Sequence, residues 1–491
     1  MDRRTFLKVA GVGAVGSIMG FPLNAAAQHS NKPNVVLIIG DDIGYNDLGC
    51  YNSPDALTPH IDSLANEGVR FRQFYVNPMC TPTRFSLMTG WHINRSTDGL
   101  WKALNWADTD KGLRSDKITI ADVFKSRGYA TGIIGKWHIG TGDMVANPPE
   151  SAASDSEFHP NNHGFDYFYG ALSGAIDYIT HWNQDRWQDW FENKSYIPGA
   201  ESGEYATHLF TNKAVQFINA HKEEPFFLYL PYTAPHSGNN PLPRTALTQN
   251  QLPVGEETDR IYLSRFDHLW PSSEDTTNIR KRFLSMIAVL DDGIGEILDT
   301  LRTNGLEENT IVVFISDNGG KNKFGGTNDP LRSEKSHVYE GGIRTPAMIK
   351  WKNAIPEGVD SDQIGTIWDM FLTIGRLAGF PMFEYRTDGI DLRENILENK
   401  IVERDLFYHN AIFGKVFRRG KWKYVRDYKT TDKDELYDLD ADIGETTDLA
   451  STYPEKLDEL KALHAQQAAA LNDPPPFPPS STDSKYWRLY L

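Results

Sequence analysis

The chain has 491 residues, of which 40% are hydrophobic, 24% charged and 12% aromatic; it is longer than one ordinary core needs, and it is neither disordered nor collagen-like. Its 66 Asp and Glu outnumber 50 Lys and Arg, for a formal charge of −16, which excludes a general nucleic-acid binder with a broad basic face. Cys50 and Cys80 are the only cysteines, so at most one disulfide can form and no cysteine cluster has zinc spacing.

Residues 1–27 read as a secretory signal: Arg3 and Arg4 precede an apolar, glycine-rich run over 9–21, and an alanine triplet at 25–27 comes before Gln28. That run is shorter than the roughly 18 apolar residues a membrane span needs. The paired arginines predict export by the twin-arginine machinery to the periplasm or beyond, not an integral membrane protein.

Five short apolar runs follow as predicted strands, at 34–39 (NVVLII), 130–134 (ATGII), 225–230 (PFFLYL), 310–315 (TIVVFI) and 347–351 (AMIKW). Each has the length and doubly apolar character of a strand buried on both faces. Between them, helical periodicity covers 58–67, 120–127, 205–219 and 278–304. Strands alternating with helices predict an α/β domain over 28–389, built on a large, mostly parallel sheet sandwiched by helices. From 390 to 472 the texture changes to shorter alternating runs at 405–412, 415–426 and 434–439 and an amphipathic helix near 454–471, read as a small antiparallel sheet with one helix. The proline-rich stretch 473–491 predicts an extended tail.

In open parallel sheets ligands bind beyond the carboxyl ends of the strands. Here those ends carry Asp41 and Asp42, Asp317 and Asn318, Lys136 and His138, and His236. The oxygen donors, with no thiol or imidazole among them, form a set for Ca²⁺ or Mg²⁺, although an Asp after a strand also commonly caps the next helix. In the segment MCTPTRFSLMTG from Met79, Pro82 fits a first helical turn and puts Cys80 where free N–H groups attract anions. Such a cysteine is either a nucleophile or a small buried residue.

These residues resemble the formylglycine-dependent type I sulfatases of the alkaline-phosphatase-like superfamily. The CxPxR pentapeptide is present as Cys80, Pro82 and Arg84. TPHIDSLANEGVRF from Thr58, GKWHIG from Gly135, Ala234-Pro235-His236, SDNGG from Ser316, LRSEKSHVYEGGIRTP from Leu331 and ELYDLDADIGETTDLA from Glu435 stand in family order, so that the likeness spans 34–449. Thr83 stands where serine is commoner, and Trp91 where an arginine often follows the Thr-Gly pair.

The resemblance implies that a maturation enzyme converts Cys80 to formylglycine. It also implies that Asp41, Asp42, Asp317 and Asn318 bind Ca²⁺ with residue 80 as a further contact, and that Arg84, Lys136 and Lys335 surround the sulfate. Hydrated formylglycine then attacks sulfur, with His236 or Lys335 protonating the leaving oxygen and His138 drawing a proton from the second hydroxyl. One unit charge pair at 4 Å is worth about 4 kcal/mol at an effective dielectric of 20, so several fixed cations suit a sulfate ester. GFDYFYGALSGAIDYITHW from Gly164 is similar to arylsulfatase B and related galactosamine-4-sulfatases, which implies an exo-acting enzyme on a sulfated galactose-type glycan. Trp101, Asp177, His181 and His337 are the candidate substrate contacts. A phosphodiester or phosphonate hydrolase of the same superfamily, and a non-catalytic sulfated-glycan-binding protein that keeps its cysteine, are the alternatives.

Overall fold

The computed structural model describes residues 32–105, 108–141, 156–183, 188–238, 250–253, 256–275 and 277–471. The signal at 1–27 and the tail from 473 lie outside them. Among the described residues no helix is long and apolar enough to cross a membrane.

The elements run β1 (Asn34–Gly40), α1 (Pro59–Asn66), β2 (Val69–Tyr75), α2 (Cys80–Thr89), α3 (Ile120–Ser126), β3 (Ala130–Lys136), β4 (Tyr167–Ala171), β5 (Phe191–Glu192), β6 (Ser195–Tyr196), α4 (Ala206–Ala220), β7 (Phe226–Pro231), α5 (Glu256–Ser264), α6 (Ile279–Thr303), β8 (Thr310–Ser316), α7 (Glu340–Ile343), β9 (Ala347–Lys350), β10 (Val359–Thr366), α8 (Asp369–Leu377), α9 (Arg393–Glu398), β11 (Leu406–Asn410), β12 (Gly414–Arg419), β13 (Trp422–Asp427), β14 (Glu435–Asp438) and α10 (Pro454–Ala470). Ten strands form one sheet in the order β10-β2-β9-β8-β1-β7-β3-β4-β5-β6. The β8-β1-β7-β3-β4 centre is parallel throughout. β9 is antiparallel to both of its neighbours, and β5 and β6 close the far edge as a hairpin.

The apolar runs become the middle of the sheet because both of their faces are covered. Along β1, Val35, Leu37 and Ile39 enter one core with α2, α3 and α8, while Val36 and Ile38 enter the other with α1, α4 and α6, as the two-residue period of a strand requires. Helix starts follow the sequence signals. Thr119 and Asp122 form a reciprocal capping box at α3, and the Asn278 side chain accepts from Lys281 N at α6.

The strands β2, β4, β5, β6 and β10 have no counterpart among the predicted runs. In β2 the sequence VRFRQFY interrupts its aromatics with Arg70 and Arg72, which pair with Asp360 and Asp362 of β10. An edge of this kind is polar and reads as loop. The predicted run 415–426 splits into β12 and β13 around Gly420, whose φ of 56° makes the turn. β11 to β14 form a separate four-stranded antiparallel meander. One face packs on Tyr75 at the end of β2, Val338 and Tyr339 in the loop before α7, and Ile343 of α7, and the other on α10 through Leu460.

Candidate active site

The carboxyl ends of β1, β8, β3 and β7 converge. β1 delivers Asp41 and Asp42, β8 delivers Asp317 and Asn318, β3 ends on Lys136 two residues before His138, and the loop after β7 carries His236. The backbone ties these ends together: Asp317 N donates to Gly40 O at 3.1 Å and Asp41 N to Ala234 O at 3.1 Å. Asp42 has a φ of 69° and His138 one of 56°, left-handed conformations that cost a non-glycine residue of order 1 kcal/mol or more and cluster at functional sites.

Cys80 is the first residue of α2, with Met79 as its N-cap, and is 1% exposed. Its Sγ lies 3.2 Å from His138 Nδ1, and His138 Nε2 lies 3.0 Å from Leu104 O. Because a carbonyl only accepts, Nε2 carries the proton and the Nδ1 lone pair faces residue 80. A Cβ at Gly174 would stand 2.3 Å from the His138 ring, so glycine there leaves room for the imidazole.

Arg84, four residues on, lies on the same helix face as Cys80. Its guanidinium forks onto Asp317 Oδ2 at 3.2 and 2.9 Å and reaches Lys136 O at 2.7 Å and Asp41 Oδ2 at 3.4 Å. Lys136 Nζ donates to Asp41 Oδ2, and Lys335 Nζ donates to Asp42 Oδ1. Asn318 Nδ2 donates to the same Asp42 oxygen at 2.6 Å. His236 Nδ1 donates to Ser237 O at 2.8 Å and turns Nε2 toward Asp42 Oδ2, 3.8 Å away.

The electrostatics follow from burial and these partners. Burial alone would raise the Asp41 carboxyl, but the cations Lys136, Arg84 and Lys335 outweigh it and hold it well below the usual range. Asp317 is pushed up to about 6 by burial and then by the charge of Asp41. Burial and the neighbouring lysines keep both His138 and His236 neutral, with His138 well below its ordinary value. Burial raises the Cys80 thiol despite Lys136, so an unmodified Cys80 is no thiolate nucleophile.

Two buried acceptors in this cluster, Asp41 Oδ1 and Asn318 Oδ1, have no hydrogen-bond partner among the described residues. Ligand atoms of Asp41, Asp42 and His236 lie within 4.8 Å of one another. Unsatisfied hard oxygens amid three carboxylates fit a Ca²⁺-type ion, whose coordination they would complete.

A cavity of about 370 Å³ opens over Cys80, His138, His236, Asp42 and Lys335. Arg84, Lys136, Asp41, Asp317 and Asn318 lie beneath its floor. Its outer wall includes Asn105, Ser173, Asn183, Ser237, Lys321 and Phe324, none of which the sequence motifs single out. Ser173 does fall in the stretch from Gly164 and Asn183 directly follows it, and Lys321 directly follows SDNGG.

The four candidate substrate contacts stand elsewhere. Asp177 accepts from Ile179 N at 3.0 Å and Thr180 N at 2.7 Å, holding its own turn, and His181 stacks on Trp190 at 3.9 Å. His337 Nδ1 is 3.4 Å from Asp427 Oδ1 of β13. Trp101 is 40% exposed, its indole N–H bonded to Ser96 O at 3.1 Å. Both Cys50 and Cys80 are free thiols.

The family model described as Sulfatase matches residues 33–380. N-acetylgalactosamine-6-sulfatase of Rattus norvegicus is 31% identical over 421 residues, covering 81% of this chain and 72% of that protein. Arylsulfatase A of Homo sapiens is 30% identical over 505 residues, covering 93% and 92%. The crystal structure of Ps i-CgsB in complex with k-i-k-neocarrahexaose superposes with a TM-score of 0.75 at 27% identity, covering 94% of this chain and 97% of that one. The chain therefore belongs to the sulfatase family and is a sulfuric ester hydrolase.

Proposed function

We propose that this sulfatase removes sulfate from a galactose-type unit at the end of a sulfated glycan, using a formylglycine derived from Cys80 and a Ca²⁺ held by Asp41, Asp42, Asp317 and Asn318. The observation that carries the reading is the place of residue 80. It is the first residue of a buried helix on the cavity floor, with an imidazole lone pair on one side and a carboxylate–cation cluster beneath. A hydrated formylglycine supplies a nucleophilic oxygen where a buried thiol does not, and a bound Ca²⁺ supplies charge that stabilises anionic oxygens.

The chain's own side chains do the rest. Arg84 and Lys136 brace Asp41 and Asp317 from below. Lys335 stays charged because Asp42 and its neighbours outweigh its burial, so it binds the sulfate rather than giving up a proton. His236 points Nε2 into the cavity, and an incoming sulfate favours its protonated form, which makes it the donor to the leaving oxygen. His138, neutral and locked in one tautomer by Leu104 O, accepts a proton at residue 80 through Nδ1.

The named relatives and the oligosaccharide complex support a glycan substrate. A cavity of about 370 Å³ is at the small end of ligand pockets and suits one sulfated sugar at a time. We place the enzyme's work in the periplasm or outside the cell, after twin-arginine export of the matured protein.

Intact-mass analysis of the peptide containing Cys80, from a host with the maturation enzyme, tests the reading together with turnover. Formylglycine in active protein is expected; full turnover by protein carrying only the thiol would overturn it. Faster turnover of an aryl phosphodiester than of an aryl sulfate would favour the phosphodiesterase alternative, and binding without turnover the glycan-binding one. His236→Ala is expected to slow an alkyl sugar sulfate more than an activated aryl sulfate, because only the poorer leaving group needs the proton.

A further inference from the structure

The segment from Leu331 to Thr345 carries Lys335 on its cavity side and meets the small C-terminal sheet on the other. On the cavity side, Lys335 N donates to Gly320 O at 3.2 Å and Ser336 N to Pro78 O at 2.8 Å, two residues before Cys80. Ser336 Oγ lies 3.2 Å from Met79 Sδ. The segment thus touches both the lysine's carboxylate partner and the start of the nucleophile helix. Ser333 and Ser336, which bracket Lys335, have φ values of 72° and 77°. Two strained non-glycine residues persist only where the surroundings hold them.

On its other side the segment is held by residues of the small sheet and the loop after it. Arg332 Nη1 donates to Tyr437 OH at 2.7 Å and Glu445 O at 2.9 Å, with its guanidinium 3.8 Å from the Tyr339 ring centre. Val338 N donates to Asp427 Oδ2 at 2.8 Å, and Tyr339 OH donates to Glu435 Oε2 at 2.6 Å. Lys423 Nζ lies 2.8 Å from Glu340 and 2.7 Å from Glu445. Glu445 Oε2 also accepts from Glu340 N at 2.7 Å.

We propose that the small sheet is a functional part of the active site: Arg332, Asp427 and Lys423 are positioning residues that hold the strained turn at 333–336 and so set Lys335 at the sulfate. The proposal rests on the placing of Lys335 at the sulfate above. It separates the two faces of the small sheet, one holding the active-site segment and the other packing α10. Damage to the first should reach the chemistry, and damage to the second should reach only stability.

The test uses the full-length matured enzyme and an aryl sulfate. Arg332→Ala is the principal variant, since Arg332 is part-exposed and Glu435, the buried carboxylate 4.0 Å from its guanidinium, keeps the hydroxyls of Tyr339, Thr431 and Tyr437 as donors when the arginine is removed. It is expected to raise KM and lower kcat/KM by about tenfold, the scale of coupling between residues in one network. Arg332→Lys should recover part of that loss. In a Lys335→Met background, Arg332→Ala should cost almost nothing further, because its effect passes through the lysine.

Leu460→Ala, on the α10 face, serves as the stability control and should lower the thermal midpoint at least as far with KM unchanged. Additive losses from Arg332→Ala and Lys335→Met, or an unchanged KM in Arg332→Ala, would overturn the proposal. A Lys335→Met enzyme as active as the parent would instead remove the role given to Lys335 itself. Asp427→Asn, which keeps an acceptor for Val338 N, should give a smaller loss of the same kind.

Discussion

Two buried charge clusters lie on either side of the segment 331–345, and they are built to opposite ends. In the junction cluster, Glu340 and Glu445 meet Lys423: three of their four carboxylate oxygens accept hydrogen bonds, and Glu445 Oε1, which accepts none, is paired with Lys423 Nζ 2.7 Å away. Glu340 Oε2 takes Tyr75 OH at 2.7 Å and Arg344 Nη1 at 3.1 Å, and Lys423 bridges the other oxygen to Glu445. In the strand-end cluster, Asp41 Oδ1 and Asn318 Oδ1 are left without partners, and Asp42, Cys80 and His138 face a cavity. Similar residue types at similar depth thus give a closed structural knot in one place and an open reactive site in the other. Unsatisfied acceptors beside a cavity distinguish the second.

The largest expected effect breaks the open cluster without disturbing its fold. Cys80→Ala removes the residue that is to become the nucleophile, and turnover should fall by about 10⁴-fold or more. Its urea midpoint should move by no more than about 1 kcal/mol equivalent, because a thiol is a small side chain to lose. Retained turnover would remove residue 80 from the chemistry. The closed cluster should answer first in stability. Lys423→Met strands the buried Glu445 and takes one of two cations from Glu340, which keeps Arg344; it should cost roughly 3–5 kcal/mol of stability, with a smaller loss at pH 5 than at pH 8. The pair would be protonated more readily in the folded state than in the unfolded chain, so acid relieves it. Equal losses at both pH values would show that the pair is not the cause.

The sequence makes much of the open cluster legible because its members follow strands that are apolar on both faces. NVVLII and TIVVFI could hardly be anything but central strands, so the acids after them had to reach one rim. β2 and β10 were not legible, since their charges are satisfied across an edge, and so alternate polar and apolar residues without a clean period. Arg84 was legible as a residue but not in its direction. Four residues beyond Cys80 on a wholly buried helix, its guanidinium is turned into the carboxylates beneath the floor. Asp177 and His181 look like sugar-binding residues in sequence, but their own turn and Trp190 use their polar and aromatic faces. The cavity wall at Asn105, Asn183 and Ser237 comes from irregular loops, where spacing carries no signal about what converges.

A third effect sharpens the contrast through the ion. Ca²⁺ should raise the thermal midpoint of the matured enzyme and a chelator should lower it, by about 2.7 kcal/mol equivalent at an ion concentration one hundred times the Kd. The double variant Asp42→Asn, Asp317→Asn should lose this response, while Lys423→Met, less stable overall, should keep it. A calcium response that survives in the Asp variant would place the ion elsewhere.

The last effect concerns the small sheet's junction with α10, where His464 of that helix and His92 pack among aromatics. The His92 ring lies 5.2 Å from that of Phe407, and the His464 ring 5.0 Å from Phe407 and 5.2 Å from His409. Burial, then the nearby imidazoles, push His92 down to about 3 and His464 down to about 4. Both are neutral in the folded protein, whereas in the unfolded chain each takes up a proton near pH 6.5. Their contribution is therefore complete above about pH 6.5 and is lost as pH falls toward 4, by up to about 1.4 kcal/mol per pH unit for each histidine. Urea midpoints at pH 7.5, 6.0 and 5.0 should show this decline, and His464→Gln should flatten it by one proton's worth. An identical slope in that variant would assign the acid sensitivity to other groups, whereas a flattened slope would make this junction, rather than the closed knot at Lys423, the part of the molecule that acid opens first.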